Sequence, residues 1–227
     1  MNMQPVVQPV PLAGEHASWL LRLEQKLSET VWTKDIQPIA EKLAANVPLD
    51  VDDGMVLYNH ADLHEVGALA HAVREARFGQ QAFFNSNVHI NQTNMCVLAC
   101  RFCAFRRSPR AEDAYAMSIE EYLADLANYA HAIDEVHSVG GLHPEWDVSH
   151  YEELFKRVSE TYPHLSIKAL TAVEIKHLAQ RSSITTREVL SRLRDAGLTS
   201  IPGGGAEILD DGVRKIICNG TESSDEY

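Results

Sequence analysis

The stretch FNSNVHINQTNMCVLACRFCAF, Phe84–Phe105, begins as a short apolar segment and continues into a loop that carries three cysteines. Its first part, near Phe84–Ile90, has the pattern of a buried β-strand. Cys96, Cys100 and Cys103 follow with the spacing Cys-x-x-x-Cys-x-x-Cys. In parallel α/β folds, the loops that leave the carboxyl ends of strands line the active site. The stretch therefore predicts that these thiolates lie at the mouth of an active site.

Short apolar strands alternate with capped amphipathic helices after Gln80, which is the pattern of βαβ units and a parallel sheet. Strands are expected near Phe84–Ile90, Glu135–Val139, Ser166–Leu170 and Thr199–Ile201. Capping boxes that predict helix starts are Ser118 with Glu121, Ser149 with Glu152, Thr171 with Glu174 and Thr185 with Glu188. Four such βα units form half of an eight-fold barrel. We expect an α/β fold, a (β/α) barrel truncated to about its first four units.

The sequence divides into three parts on these patterns. Residues 1–14 carry three prolines and no regular period, which predicts a flexible leader. Residues 15–79 have a helical pattern and predict an amino-terminal helical cap, with a start signal at Asp62 and Glu65 and a stop at Gly79. Residues 80–227 hold the partial barrel. The last strand would leave an open sheet edge. Either the chain is a fragment of a longer barrel or a partner covers this edge, and we expect a fragment.

Composition excludes several classes of function. The 227 residues carry a formal charge of −12, from 32 acidic and 20 basic side chains, with no Lys/Arg block that could follow a phosphate backbone. We therefore expect no nucleic-acid partner. No apolar run reaches the roughly 20 residues of a membrane helix, and the amino terminus lacks the features of a signal peptide. These observations favour a cytoplasmic protein without a membrane partner, and its four cysteines suit a reducing compartment.

The cysteine pattern leaves more than one metal open. Soft thiolates select zinc, copper(I) or an iron–sulfur cluster. In a cubane cluster each iron usually takes one cysteine, so three cysteines leave one iron free to bind a substrate. The alternatives are a Cys₃His zinc site that uses His89 or His143, or buried thiols with no metal. Cys218 stands far along the chain and is expected to be a half-buried free thiol.

The spacing of the cysteines, with the aromatic residue Phe102 before the last of them, resembles the radical S-adenosylmethionine (SAM) enzymes. The resemblance implies that Cys96, Cys100 and Cys103 hold a [4Fe–4S] cluster and that the amino and carboxylate groups of SAM bind its open iron. It places Phe102 among the cofactor-binding residues. It also implies a one-electron reductant of the flavodoxin or ferredoxin type, and cleavage of SAM to methionine and a 5′-deoxyadenosyl radical.

Two adjacent glycines end the second expected strand, in EVHSVGGLHPEW, Glu135–Trp146. Glycines there allow a backbone to approach a ligand closely. In radical SAM enzymes a Gly-Gly step at this place resembles the surface that holds the amino group of SAM, a role that we carry to Gly140 and Gly141. Leu142 stands where the family usually has Glu, so the residue that binds the amino group is left open.

Three stretches resemble the aminofutalosine synthase branch of this family: Asn91–Arg107, Ile167–Ile175 and Ser200–Cys218. The Thr-Ala-Val-Glu segment at Thr171–Glu174 favours that branch over the dehypoxanthine futalosine cyclases, whereas Asn219 departs from the family's usual Pro. The implied reaction, in menaquinone biosynthesis, adds the 5′-deoxyadenosyl radical to the enol ether of 3-[(1-carboxyvinyl)oxy]benzoate and yields aminofutalosine. SAM would then be a co-substrate of this transferase. The alternatives are the cyclase, a deazaflavin (F420) cofactor synthase subunit, or a non-enzymatic zinc-binding fragment or interaction module.

The two carboxylates of such a substrate would require cationic or hydrogen-bonding partners. Candidates are Arg106 and Arg107 beside the cysteine loop and His143 after the glycines, with a solvated surface and a core histidine as the plainer interpretations. Glu174 and Glu207 are candidates for contact with the cofactor, although Glu174 could serve only as a helix cap. His137 lies on the second expected strand. The sequence does not determine whether its side chain points into the barrel interior.

Overall fold

The computed structural model describes residues 13–204 and 207–227. The chain divides into two compact units, one that ends at Phe84 and one over Asn85–Tyr227. Most of the expected leader, residues 1–12, lies outside the described residues, and Ala13 and Gly14 belong to the first helix. No helix in the described part of the chain is long and apolar enough to cross a membrane.

The described part of the first unit is helical, and each of its helices contributes side chains to one apolar cluster. They are α1 (Ala13–Ser28), α2 (Gln37–Ala44), α3 (Val51–Asn59) and α4 (Leu63–Phe78). Leu23, Ile36 and Leu69 lie almost fully buried at the centre of that cluster. The expected start and stop of α4 are confirmed, because the Asp62 side chain accepts from the backbone N–H groups of His64 and Glu65, and Gly79 closes the helix with φ of +59°.

The second unit is built on a sheet of four parallel strands in the order β1-β2-β3-β4. The strands are β1 (Asn87–His89), β2 (Glu135–Ser138), β3 (Ser166–Ala169) and β4 (Leu198–Ser200). The strands β1, β2 and β3 lie within the segments expected from the sequence and are shorter than those segments. Strand β4 has the expected length and begins one residue before the expected Thr199–Ile201. Sequential order without reversal is the order of a (β/α) barrel wall, whereas a doubly wound sheet reverses at its centre.

Helices follow every strand of this sheet. They are α5 (Ile119–Ala127), α6 (Val148–Thr161), α7 (Ala172–Ser182), α8 (Thr186–Asp195) and α9 (Asp211–Ile217). Their apolar faces share one core with the sheet, where Val136 and Ile167 meet Phe155 and Leu193 with almost no exposed surface. One face of the sheet is therefore covered by helices, as the alternation of strands and helices predicts.

The helix starts confirm some of the expected caps. Ser118 and Glu121 form a reciprocal capping box at the start of α5. The box expected at Ser149 is wrong, because α6 begins earlier with Asp147 as its N-cap, which accepts from the Ser149 N–H at 2.9 Å. Asp is as good an N-cap as Ser, so the earlier acceptor starts the helix.

Candidate active site

Cys96, Cys100 and Cys103 lie in the loop between β1 and α5 as free, half-buried thiols. The Cys103 N–H donates to the Cys100 carbonyl at 3.2 Å, which folds the last two cysteines into a tight turn. Burial raises the pKa of the Cys100 thiol, and the nearby thiols of Cys218, Cys96 and Cys103 raise it further. The three expected ligands are thus brought together on one loop, where bound metal would favour the thiolate forms.

A short backbone pairing closes the base of this loop. Met95 pairs with Arg107 in a parallel bridge. The Cys96 N–H donates to the Arg107 carbonyl at 3.0 Å, and the Arg107 N–H donates to the Asn94 carbonyl at 2.7 Å. Because the two ends of the loop are joined by these bonds, the cysteines between them have a defined base.

The cysteine loop lies directly against the glycine step that follows β2. The Gly141 N–H donates to the Thr93 carbonyl at 2.9 Å, and the Val97 N–H donates to the Leu142 carbonyl at 3.0 Å. A Cβ atom added to Gly141 would lie 2.1 Å from the Met95 carbonyl oxygen and 3.0 Å from the Cβ of Cys96. Gly141 thus has a packing role, since only glycine permits this approach of the cysteine loop.

Glu174 lies beneath the other glycine. Its Oε1 accepts from the Gly140 N–H at 3.0 Å, and its Oε2 accepts from the Thr171 hydroxyl at 2.9 Å. The side chain is buried, and burial raises its pKa to about 7 against the opposing effect of these hydrogen bonds. Thr171 caps α7 through the Glu174 N–H, so only the Thr171 half of the expected box is formed and the carboxylate joins α7 to the glycine step.

Both arginines beside the loop are engaged with the loop itself. The Arg107 Nη1 donates to the carbonyl oxygens of Ala104, Phe105 and Arg106, and its Nε lies 2.5 Å from Asp113 Oδ2. The Arg106 Nε donates to the Leu98 carbonyl at 2.8 Å. These contacts organise the backbone around the cysteines.

His143 is buried in an aromatic stack. Its ring lies 4.2 Å from that of Trp146, whose other face stacks on His150 at 3.9 Å. The His143 Nδ1 accepts from the Glu145 N–H, and burial lowers the pKa of the His143 ring. A narrow cleft beside the glycine step is lined by Gly141, Leu142, His143, Trp146, Tyr151, Glu174, His177 and Leu178.

Phe102 and Glu207 are exposed. Phe102 lies on the cysteine loop with about half of its surface accessible. Glu207 follows two residues that the structure does not describe and adopts φ of +51°, a left-handed conformation. Among the described residues, the hydrogen bonds of the Glu174 carboxylate go to Gly140 and Thr171 and not to Glu207.

Cys218 is fully buried, where the sequence predicted a half-buried thiol. The cysteine loop contacts this part of the chain, because the Arg101 N–H donates to the Ile217 carbonyl at 2.7 Å. A Cβ added to Gly220 would lie 2.9 Å from the Leu98 side chain. Cys218 therefore lies behind the loop as part of the surface that supports it.

The polar residues that precede the cysteines form a buried group that was not expected from the sequence. Gln92, Thr93 and Asn94 are almost completely buried. The Gln92 Nε2 donates to the Tyr151 hydroxyl, and the Ser138 hydroxyl donates to the Gln92 Oε1 at 2.7 Å. A run of four polar residues directly after a strand was the available signal, because such a run must find partners if it is buried.

The donor set fits an iron–sulfur cluster better than a single ion. Among the described residues, no three His, Cys, Asp or Glu side chains converge as one metal ion requires. Zinc holds its thiolates about 2.3 Å from a single centre. A cubane gives each thiolate its own iron, so its cysteines need not converge on one point. Three soft, free thiols on one anchored loop match that requirement, and His89 lies instead against the ring of His137.

A sequential parallel sheet with a three-cysteine loop after its first strand and a Gly-Gly step after its second defines the class of protein. The chain belongs to the radical SAM superfamily, whose family model matches residues 90–227. Members of this superfamily use a [4Fe–4S] cluster and SAM, and Cys96, Cys100 and Cys103 lie within the matched region.

Two curated members of the superfamily are similar in sequence to this chain. The chain is 37% identical over 191 residues to an aminodeoxyfutalosine synthase of Thermus thermophilus, an alignment that covers 84% of this chain and 51% of the relative. It is 34% identical over 198 residues to a cyclic dehypoxanthine futalosine synthase of Streptomyces coelicolor, covering 85% and 50%. The chain spans about half the length of these relatives.

A solved structure of the [FeFe]-hydrogenase maturase HydG has the same fold. It superposes with a TM-score of 0.65 at 16% sequence identity, over 91% of this chain and 45% of the other. At that identity the likeness concerns the fold alone. It agrees with the barrel wall described above, and the expected α/β fold is confirmed.

Proposed function

We propose that this chain carries the radical-generating site of an aminofutalosine synthase, which joins the 5′-deoxyadenosyl group of SAM to 3-[(1-carboxyvinyl)oxy]benzoate in menaquinone biosynthesis. The observation that carries the proposal is the docking of the cysteine loop on Gly141, with Gly140 held by Glu174 of the Thr-Ala-Val-Glu segment. That segment favours the synthase branch, and the 37% identity to a curated synthase supports the same choice.

In this proposal the three cysteines hold the cluster and the glycine step receives SAM. When bound, the cluster would supply the one electron needed to cleave SAM, passed on from the external reductant. Gly140 and Gly141 present a backbone surface free of side chains beside the loop. Glu174 holds that surface by accepting a hydrogen bond from the Gly140 N–H. Phe102, which is exposed on the loop, is the residue that we assign to contact with SAM. We assign Glu207 to a polar contact with the ribose of SAM or with the substrate. The assigned electron donor is a flavodoxin or a ferredoxin in the cytoplasm.

The structure changes how three earlier candidates are interpreted. Arg107 donates to loop carbonyls through its Nη1 and to Asp113 through its Nε, so we assign it to the loop rather than to substrate. His143 is stacked and buried, so we assign it to packing beside the glycine step. Glu174 makes its hydrogen bonds to the protein and is assigned as a positioning residue.

The experiment is an anaerobic incubation of the reconstituted chain with SAM, dithionite and the enol-ether substrate, followed by mass spectrometry. The proposal expects a product that contains both the adenosyl group and the benzoate. A matched incubation with dehypoxanthine futalosine tests the cyclase alternative. Release of free 5′-deoxyadenosine, with conversion of dehypoxanthine futalosine and no adduct, would assign the chain to the cyclase instead.

A further inference from the structure

A row of basic side chains crosses the sheet on the face opposite to the helices. His89 on β1 is the register partner of His137 on β2, and His137 is the partner of Lys168 on β3. Register partners in a sheet point to the same face, and neighbours along a strand point to opposite faces. Val136 and Ile167 lie in the core under the helices, so the row faces away from them.

The two histidine rings of this row are in contact with each other. The rings of His89 and His137 lie 4.3 Å apart with a tilt of 37°. Burial lowers the pKa of His137, the neighbouring His89 and Lys168 lower it further, and Glu135 raises it. Glu135 lies on the same face two residues earlier, where its Oε1 accepts from the Asn85 amide at 2.9 Å. The row therefore combines two imidazoles with one ammonium group.

One atom of the row has no partner. The Nε2 of His137 is buried and makes no hydrogen bond within the described residues. A buried ring nitrogen without a partner is unfavourable, so such an atom in a native structure calls for an explanation. A ligand group that donates a hydrogen bond to His137 Nε2, or accepts one from it, would supply the missing partner.

The row lies near the edge of the sheet that carries the cysteine loop. His137 precedes the glycine step by three residues along the chain, and His89 precedes Cys96 by seven. The carboxyl ends of parallel strands meet at one edge, so a molecule that contacts the row can also reach the space beside the loop and the glycines. Arg106 donates to a loop carbonyl through its Nε, and Arg107 donates to loop carbonyls through its Nη1.

We propose that His89, His137 and Lys168 form the site for a carboxylate of the substrate, with the ammonium group supplying charge and His137 Nε2–H donating a hydrogen bond. Carboxylates prefer charge-assisted donors of this kind. The inference rests on the proposed function for the identity of the substrate, an aromatic dicarboxylate. It deepens that function by assigning the anion-binding residues to the sheet face and not to the cysteine loop.

The test is isothermal titration of the anaerobically reconstituted chain with two probes, the enol-ether substrate and isophthalate. The variants are Lys168→Met and His137→Phe, with Lys156→Met as a control that removes the same charge from the exposed side of α6. We expect each row variant to weaken binding about tenfold or more and the control to change it less than about twofold. Lys168→Arg is expected to keep most of the affinity, and far-ultraviolet circular dichroism checks that each variant is folded.

The outcomes separate this site from the proposed function. Unchanged affinity in folded Lys168→Met and His137→Phe would overturn the site even if the parent forms the adenosyl adduct. Failure of the parent to bind either probe would also overturn it. Binding of isophthalate that depends on the row, without any adduct, would support the site and reject the proposed reaction.

Discussion

The Gly140 N–H donates to the Oε1 of Glu174 at 3.0 Å, so a buried carboxylate on α7 holds the glycine step that follows β2. Desolvation raises the pKa of this carboxyl from 4.5 to about 7. The native protein therefore binds more protons than the unfolded chain between these two values. By linkage, the free energy of unfolding that Glu174 contributes falls as the pH rises from about 4.5 to about 7.

Glu174→Gln removes this titration while the amide can still accept from Gly140. We expect the parent protein to lose more stability than the variant between pH 5 and pH 7.5, by at most about 3 kcal/mol. Urea unfolding of both proteins at the two pH values measures the difference. The histidines, whose titration is common to both proteins, cancel in the comparison. Identical changes with pH in the two proteins would contradict a carboxyl that is protonated by burial.

Gly141→Ala tests the close approach of the cysteine loop. The added Cβ would overlap the Met95 carbonyl oxygen at 2.1 Å, so the loop must move. We expect a loss of stability of about 1–3 kcal/mol and a lower iron content after reconstitution. Gly67→Ala in α4 is the control, because nothing lies within 4 Å of its new Cβ. That control should gain about 0.5–1 kcal/mol. Full iron loading and parental stability of Gly141→Ala would refute the packing role.

Arg107→Lys distinguishes a loop-organising arginine from a substrate-binding one. Lysine cannot reproduce the fork that reaches three carbonyls and Asp113. We expect a lower yield of reconstituted cluster, measured as iron per chain, with unchanged affinity for the substrate in the fraction that is loaded. Normal iron content with weakened substrate binding would instead return Arg107 to the substrate site.

Cys218→Ala separates the supporting cysteine from the three ligands. Cys218 is buried behind the loop, and its replacement by Ala removes only one sulfur atom from a packed position. The variant should retain about four irons per chain and lose about 1 kcal/mol of stability. Cys96→Ala should lose the cluster. A loss of iron in Cys218→Ala equal to that in Cys96→Ala would identify Cys218 as a ligand.

Periodicity and capping chemistry are local, and this is why they predicted the strands, the Ser118 capping box and the placement of the cysteine loop. Contacts between distant segments could not be predicted in the same way. Whether His137 faces the helices or the open side depends on the register with β1 and β3, which the sequence of β2 alone does not determine.

The role of Glu174 shows the same limit. Its spacing from Thr171 fits a capping box, but a carboxylate at that position can instead bond to any N–H that the fold brings near. Here the end of β2 brings Gly140 to it. Arg107 shows the same limit, because from the sequence alone it is expected to be an exposed cation. Its carbonyl partners are brought to it by a turn of the loop backbone that has no sequence signature.

The most direct test of the central claim is anaerobic reconstitution of the chain, with iron, sulfide and zinc counted and the electron paramagnetic resonance spectrum of the reduced protein recorded with and without SAM. We predict about four irons and four sulfides per chain and a spectrum that shifts when SAM is added, because the fourth iron is open to it. Zinc bound without sulfide, or a reduced cluster whose spectrum does not respond to SAM, would contradict the assignment of Cys96, Cys100 and Cys103 to a SAM-binding cluster.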